Sequence, residues 1–288
     1  MAAAPDARGG VFLRQAGTLL PVTLRDGLRG FALADGPTVA YTTRGAVFRW
    51  TAGDGEQFLF EGSKRDRTFG APLFDGQGGV VWRVRSRNPP GGLYRWRADT
   101  GAALLVAPGQ QVGTLSIGDF VRSAVAADAD GALAFVVRVA TNRYALFRTE
   151  PTTAQTAVVA KPGDAVDMGG GAGGTITNIY YNTIVAFDVD AAMVFQARVQ
   201  AAGASSSKRR YVRASAGVLT VAAGPVVPPA GPVAVARRHE GLYVHRDTGV
   251  RALLHDPSGR QHAPVCGWHG ITQYVPGPRG TPPCAMQK

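Results

Sequence analysis

Asp128-Ala129-Asp130-Gly131-Ala132-Leu133-Ala134-Phe135-Val136-Val137-Arg138-Val139 is followed by Tyr144-Ala145-Leu146-Phe147-Arg148 and then by Ala157-Val158-Val159-Ala160. Before it stands Ser123-Ala124-Val125-Ala126-Ala127, and Lys161-Pro162-Gly163-Asp164 closes the stretch. Each run is strand-length, apolar or alternating, and is bounded by Asp, Gly, Asn and Pro turn residues. Their order predicts a four-stranded antiparallel meander over residues 115–163, with strands A to D.

The third run has counterparts along the whole chain: Gly10-Val11-Phe12-Leu13-Arg14, Ala46-Val47-Phe48-Arg49-Trp50, Gly92-Leu93-Tyr94-Arg95-Trp96, Arg210-Tyr211-Val212-Arg213 and Gly241-Leu242-Tyr243-Val244-His245. Around them the same strand order recurs over residues 69–110 and 175–225, in a shorter form over 29–62, and without a clear strand A over 232–256. A unit of this size cannot bury its own apolar faces, so it stacks on its neighbours. Residues 8–24 supply only strands C and D, while the tail after Gln261 supplies candidate strands A and B. The expected fold is all-β: one β-propeller domain over residues 1–288, with six four-stranded antiparallel blades closed by both termini and an irregular tail at 277–288. Closing a ring with both chain ends removes free sheet edges. The run Gly169-Gly170-Gly171-Ala172-Gly173-Gly174 lacks the Lys-Ser/Thr of a phosphate loop and reads as a flexible connector between blades.

Asp128 to Phe135 resembles the repeat unit of a bacterial tandem-repeat, propeller-like family, whose units carry Asn/Asp-x-x-Gly-x-x-Ala-Phe and end in Val-x-x-Gly-Asp. Ala160-Lys161-Pro162-Gly163-Asp164 matches that ending except at its first residue, whereas Ala191 and Trp82 depart from the pattern in other units. The resemblance implies a propeller-like fold in often exported proteins of unknown function, and it carries no catalytic residue across.

With 31 Lys and Arg against 20 Asp and Glu, the formal charge is +11, nearly all of it arginine. The dense spots include Lys64-Arg65-Asp66-Arg67 and Lys208-Arg209-Arg210, so Lys64, Arg65, Arg67, Lys208, Arg209 and Arg210 form a candidate basic patch for an anionic polymer or an acidic partner. The favoured reading of the charge is a coding bias that spreads arginine over exposed strand faces, with the patch as the functional alternative. No module for sequence-specific nucleic-acid binding accompanies the charge. No stretch reaches the roughly 18 to 20 apolar residues of a membrane-spanning helix. The start, Met1-Ala2-Ala3-Ala4-Pro5-Asp6, lacks the basic, then apolar, pattern of a secretion signal. The expected location is extracellular or cell-surface if a signal was removed, and otherwise cytoplasmic or within a virion.

Candidate chemistry is sparse. The Asp128/Asp130 and Asp188/Asp190 pairs lack the further ligands of a calcium loop and fit turns, where Asp bonds its own backbone. His262, Cys266 and His269 match no zinc spacing, and no metal or cofactor is expected. In an oxidising compartment Cys266 and Cys284 are candidates for one disulfide pinning the tail, worth about 3 kcal/mol for a loop of roughly 18 residues; in the cytosol the alternative is two reduced thiols. Trp50, Trp82 and Trp96 lie within apolar strand runs, which favours core packing. No nucleophile elbow, His-Glu-x-x-His or dinucleotide fingerprint is present, so no catalytic residue is assigned. The expected function is a non-enzymatic binding, assembly or surface module, with another protein or an anionic polymer as partner. The alternatives are an enzyme acting on a polysaccharide in the central channel, and a structural component of a phage virion or surface layer.

Overall fold

The computed structural model describes residues 11–15, 18–23, 30–34, 37–43, 45–62, 68–85, 91–120, 124–141, 143–151, 153–180, 185–187 and 191–222, together with strand segments at 233–238, 241–246, 249–253, 263–264 and 274–275. By contacts the chain divides into two compact units, Met1–Phe74 with Ala230–Lys288, and Asp75–Pro229. Every regular element among the described residues is a strand.

The first unit begins with the hairpin β1 (Val11–Gln15) and β2 (Thr18–Thr23). The meander β3 (Gly30–Leu33), β4 (Thr38–Thr42), β5 (Ala46–Thr51) and β6 (Gly55–Glu61) follows, antiparallel throughout. Val11 and Val22 of the hairpin pack into one cluster with Val39, Tyr41 and Phe48, so the two sheets share a core. Two short strands, β7 (Thr68–Phe69) and β8 (Leu73–Phe74), end this part of the chain.

The second unit holds β9 (Val80–Arg85), β10 (Gly92–Arg97) and β11 (Gly101–Val106), paired in sequence order. A small hairpin, β12 (Gln111–Val112) with β13 (Leu115–Ser116), precedes the meander β14 (Val125–Ala127), β15 (Leu133–Ala140), β16 (Arg143–Thr149) and β17 (Thr156–Ala160). This second meander is the one expected from the repeat that runs from Ser123 to Ala160. After it come β18 (Ala165–Asp167), β19 (Gly173–Ile179), β20 (Val185–Phe187), β21 (Met193–Ala201), β22 (Lys208–Ser215) and β23 (Val218–Val221). The chain then returns to the first unit with a three-stranded sheet, β24 (Val233–Arg238), β25 (Gly241–Arg246) and β26 (Gly249–Leu253), and a last pair, β27 (Ala263–Pro264) and β28 (Tyr274–Val275).

The all-β reading and the recurring antiparallel meanders hold. The inner aromatic residues are buried as their mid-strand positions require: Phe135, Phe147 and Phe195 are fully covered, with Tyr94 and Phe48 nearly so. Phe135 and Phe147 stand opposite each other in register and stack, with centroids 5.7 Å apart. Between sheets, Phe195, Val199 and Val212 join Ala134, Val136 and Leu146 in one cluster, and β14 lies against β20. Trp82 and Trp96 are core residues, as expected.

The glycine run is not a connector but the turn of a hairpin. Gly169, Gly170 and Gly171 all take positive φ (87°, 63° and 81°), which L side chains resist, and the turn joins β18 to β19. This hairpin does more than extend a sheet. β19 pairs with the far half of β21, and β18 pairs in parallel with β23 through Asp167 and Thr220. The strands β18, β19, β21, β22 and β23 therefore close into a five-stranded barrel, filled by Val166, Ile176, Val199, Val212 and Leu219. Closure satisfies edges that a flat four-stranded sheet would leave open.

Candidate functional site

In an up-and-down meander the A–B and C–D turns share one end of the sheet, and the B–C turns lie at the other. Within the second unit these two ends carry opposite chemistry.

At the A–B end, carboxylates are tied down. Asp75 Oδ1 accepts the Gly79 N–H at 2.6 Å and the Gln77 N–H at 3.2 Å, and Asp128 Oδ1 accepts the Ala132 N–H at 2.7 Å. Both aspartates therefore close their turns, as expected for Asp128. The remaining oxygen of each faces an arginine of the third strand: Asp75 Oδ2 lies 4.0 Å from Arg95 and 3.5 Å from Arg97, and Asp128 Oδ2 lies 3.8 Å from Arg148. The register explains the repetition, because Arg95 stands opposite Val81 and Arg148 opposite Ala134, each six residues beyond its aspartate. Arg213 stands opposite Val194 in the same relation to Asp188, which lies outside the described residues. Asp75 is fully buried and the Arg95 side chain is only 11% exposed, so Arg95 is structural and not offered to a polymer. Burial pushes the Arg95 guanidinium down, with Arg97 adding to the effect and Asp75 opposing it. Burial likewise raises the Asp128 carboxyl above its usual range, partly offset by the Ala132 N–H and Arg148.

The turns also bind one sheet to the next. The Gly76 N–H donates to the Asp128 carbonyl at 3.1 Å, and Arg95 Nη2 donates to the Pro151 carbonyl at 3.0 Å. A Cβ on Gly76 would sit 2.1 Å from the Ala129 oxygen. Only glycine permits that approach.

At the B–C end stand exposed cations. Arg85 ends β9, Arg138 and Arg143 flank the turn between β15 and β16, and Arg198, Lys208, Arg209 and Arg210 crowd the open end of β21 and β22. Arg138 is paired with Asp119 at 2.9 Å. Among the described residues, no carboxylate lies within ion-pair distance of Arg198, Lys208, Arg209 or Arg210. Arg198 stands directly opposite Arg209, whereas Lys208 and Arg210 stand opposite the buried Val199 and Ala197 on the other face. The Arg209 guanidinium lies 5.3 Å over the Tyr180 ring. Beside it, burial raises the Tyr211 phenol, with Arg209 pulling the other way.

Of the candidate basic residues, Lys208, Arg209 and Arg210 thus sit together on β22, while Lys64, Arg65 and Arg67 lie outside the described residues. So do Cys266, Cys284, His262, His269 and the Asp188/Asp190 pair. Among the described residues, no group of three or more His, Cys, Asp or Glu could hold a metal, and no helix is long and apolar enough to cross a membrane. The Arg–Asp clasps and Arg198 were missed from sequence. The clasps had a visible signal, since Arg follows the aromatic residue at Arg49, Arg95 and Arg148, and an Asp opens the turns at Asp75 and Asp128.

No protein-family model matches the chain, and no curated protein sequence matches it. Among solved structures it is similar to a gluconolactonase from Xanthomonas campestris (17% identity, covering 82% of this chain and 77% of that one, TM-score 0.43). It is also similar to the β-propeller domain of the Trilobed protease from Pyrococcus furiosus (10% identity, 82% and 72%, TM-score 0.44). A third is an oligogalacturonate lyase in complex with manganese (12% identity, 80% and 78%, TM-score 0.37). At these identities the likeness concerns fold and transfers no residue role. The expectation of a non-enzymatic binding, assembly or surface module is corrected here: the similar structures include a gluconolactonase and a lyase, enzymes by name, and that expectation is not carried forward.

Proposed function

We propose that the protein is an enzyme acting on a polysaccharide, built on a single β-propeller domain over residues 1–288. The reading includes six blades closed by the pairing of residues 8–24 with strands from 262–276. It is supported by the terminal sheets β1–β2 and β27–β28, each of which has two strands among the described residues. The substrate is taken at the B–C end of the meanders rather than deep in a channel. The observation that carries this is the contrast between the two ends in the second unit: carboxylates at one end are engaged by Arg95, Arg97 and Arg148, while Arg198 and Arg209 at the other are exposed and, among the described residues, unpaired by acids. The strand-A segment Val125-Ala126-Ala127 carries no polar side chain.

The test is direct. Purified protein is incubated with a panel of neutral and acidic polysaccharides, and new reducing or unsaturated ends are sought by mass spectrometry. Shorter products from at least one polymer are expected. Folded protein that leaves the whole panel intact, with and without added divalent cations, overturns the reading.

A further inference from the structure

The outer face of the barrel ribbon formed by β19, β21 and β22 carries a row in register: Asn178 opposite Arg198, and Arg198 opposite Arg209. Like charges directly opposite one another in a sheet are destabilising, because their side chains lie within a few ångströms of each other. Protein sheets ordinarily relieve such a pair with a carboxylate, and among the described residues none reaches either arginine. Tyr180 lies under Arg209 and holds one guanidinium against its ring. Two guanidinium groups on neighbouring strands, one of them held over a ring, can be bridged by a single planar or tetrahedral oxyanion.

We infer that Arg198 and Arg209, with Asn178 as a neutral hydrogen-bonding neighbour, form a site for the acid group of an anionic sugar chain. This rests on the polysaccharide reading and names its substrate class: a polymer bearing carboxylate or sulfate groups. A single nucleic-acid strand fits less well. Such strands are held by exposed rings on which bases stack, and here the Tyr180 ring is already covered by Arg209. Lys208 and Arg210, leaving β22 on the opposite face, raise the local potential without joining the site.

Binding of a galacturonic acid hexamer by the full chain at low salt, read by calorimetry, tests the inference without requiring turnover. The Arg198→Ala/Arg209→Ala variant should lose at least tenfold in affinity, and the Lys208→Ala/Arg210→Ala variant, which removes the same charge from the other face, should lose no more than about threefold. Circular dichroism checks that both variants fold. A κ-carrageenan hexasaccharide, which bears sulfate and no carboxylate, in a parallel arm separates sulfate from carboxylate, and selective loss for either supports the site. Equal losses in the two variants would reduce the effect to net charge and overturn it. So would equal binding of a neutral hexamer such as cellohexaose, or tighter binding of an oligothymidylate. Selective loss of hexamer binding in a protein that cleaves no polysaccharide leaves this site standing and removes only the enzyme reading. Cleavage of neutral polymers without hexamer binding does the reverse.

Discussion

Asp128 illustrates how one residue joins turn geometry, burial and charge. Its Oδ1 closes the A–B turn on the Ala132 N–H, while its Oδ2 faces Arg148. Because burial raises its pKa in the folded protein above the usual carboxyl value, the native state holds a proton there more readily than the unfolded chain. The contribution of this group to stability therefore grows as pH falls from above the raised pKa toward the ordinary value, and is flat on either side. Asp128→Asn keeps the acceptor and removes the charge, so it should flatten the pH dependence of urea unfolding in that mildly acidic window. Asp128→Ala leaves the buried Ala132 N–H without its partner and should cost about 1–3 kcal/mol. A variant Asn protein with the wild-type slope would sink the assignment. Phe147 belongs to the same scale. It is fully buried and stacked on Phe135, and Phe147→Ala should lower stability by about 3–5 kcal/mol in denaturant melts.

Among elements, the telling cases are two glycine turns. At Gly76 the A–B turn of one sheet approaches the next so closely that a methyl group would meet the Ala129 backbone. Gly76→Ala should thus destabilise by more than a surface substitution, at least 1 kcal/mol, because the sheets must part to admit it. Gly170 sits at φ 63° in the turn joining β18 and β19, and Gly170→Val should cost about 1–2 kcal/mol through left-handed backbone strain. Gly173→Ala, where a Cβ meets nothing within 4 Å, is the control and should change little. Equal melting temperatures for the Gly170 and Gly173 variants would remove the hairpin turn from the stability argument. The meander strands were legible from sequence because the turn residues Asp, Gly and Pro interrupt apolar runs at strand length. The barrel was not, since a glycine run signals conformational freedom but not which strands the hairpin will pair.

Over the whole molecule, the decisive proposal is closure. β1 and β2 pair only with each other among the described residues, yet Val11 and Val22 are buried against Val39, Tyr41 and Phe48. Deleting residues 1–24 should strip cover from that core and leave an apolar sheet edge, lowering the melting temperature by several degrees and promoting self-association in light scattering. An unchanged melting temperature would refute both the packing role and the closure built on it.

By itself, the sequence determined the identity, order and buried face of the meander strands, because a period of two and a short list of turn residues are local properties that each repeat states again. It also supplied the total charge. Only the tertiary structure decided what each charge does. Arg95 and Arg148 read like any other arginine in the chain until the register sets them against Asp75 and Asp128, while Arg198 and Arg209 gain meaning only because they face each other with no acid beside them among the described residues. Pairing across strands depends on residues far apart in the chain, and a one-residue change in register would exchange the two faces of a strand. That is why the fold was legible locally, whereas the clasps, the barrel and the twin-arginine site had to wait for the strands to be brought together.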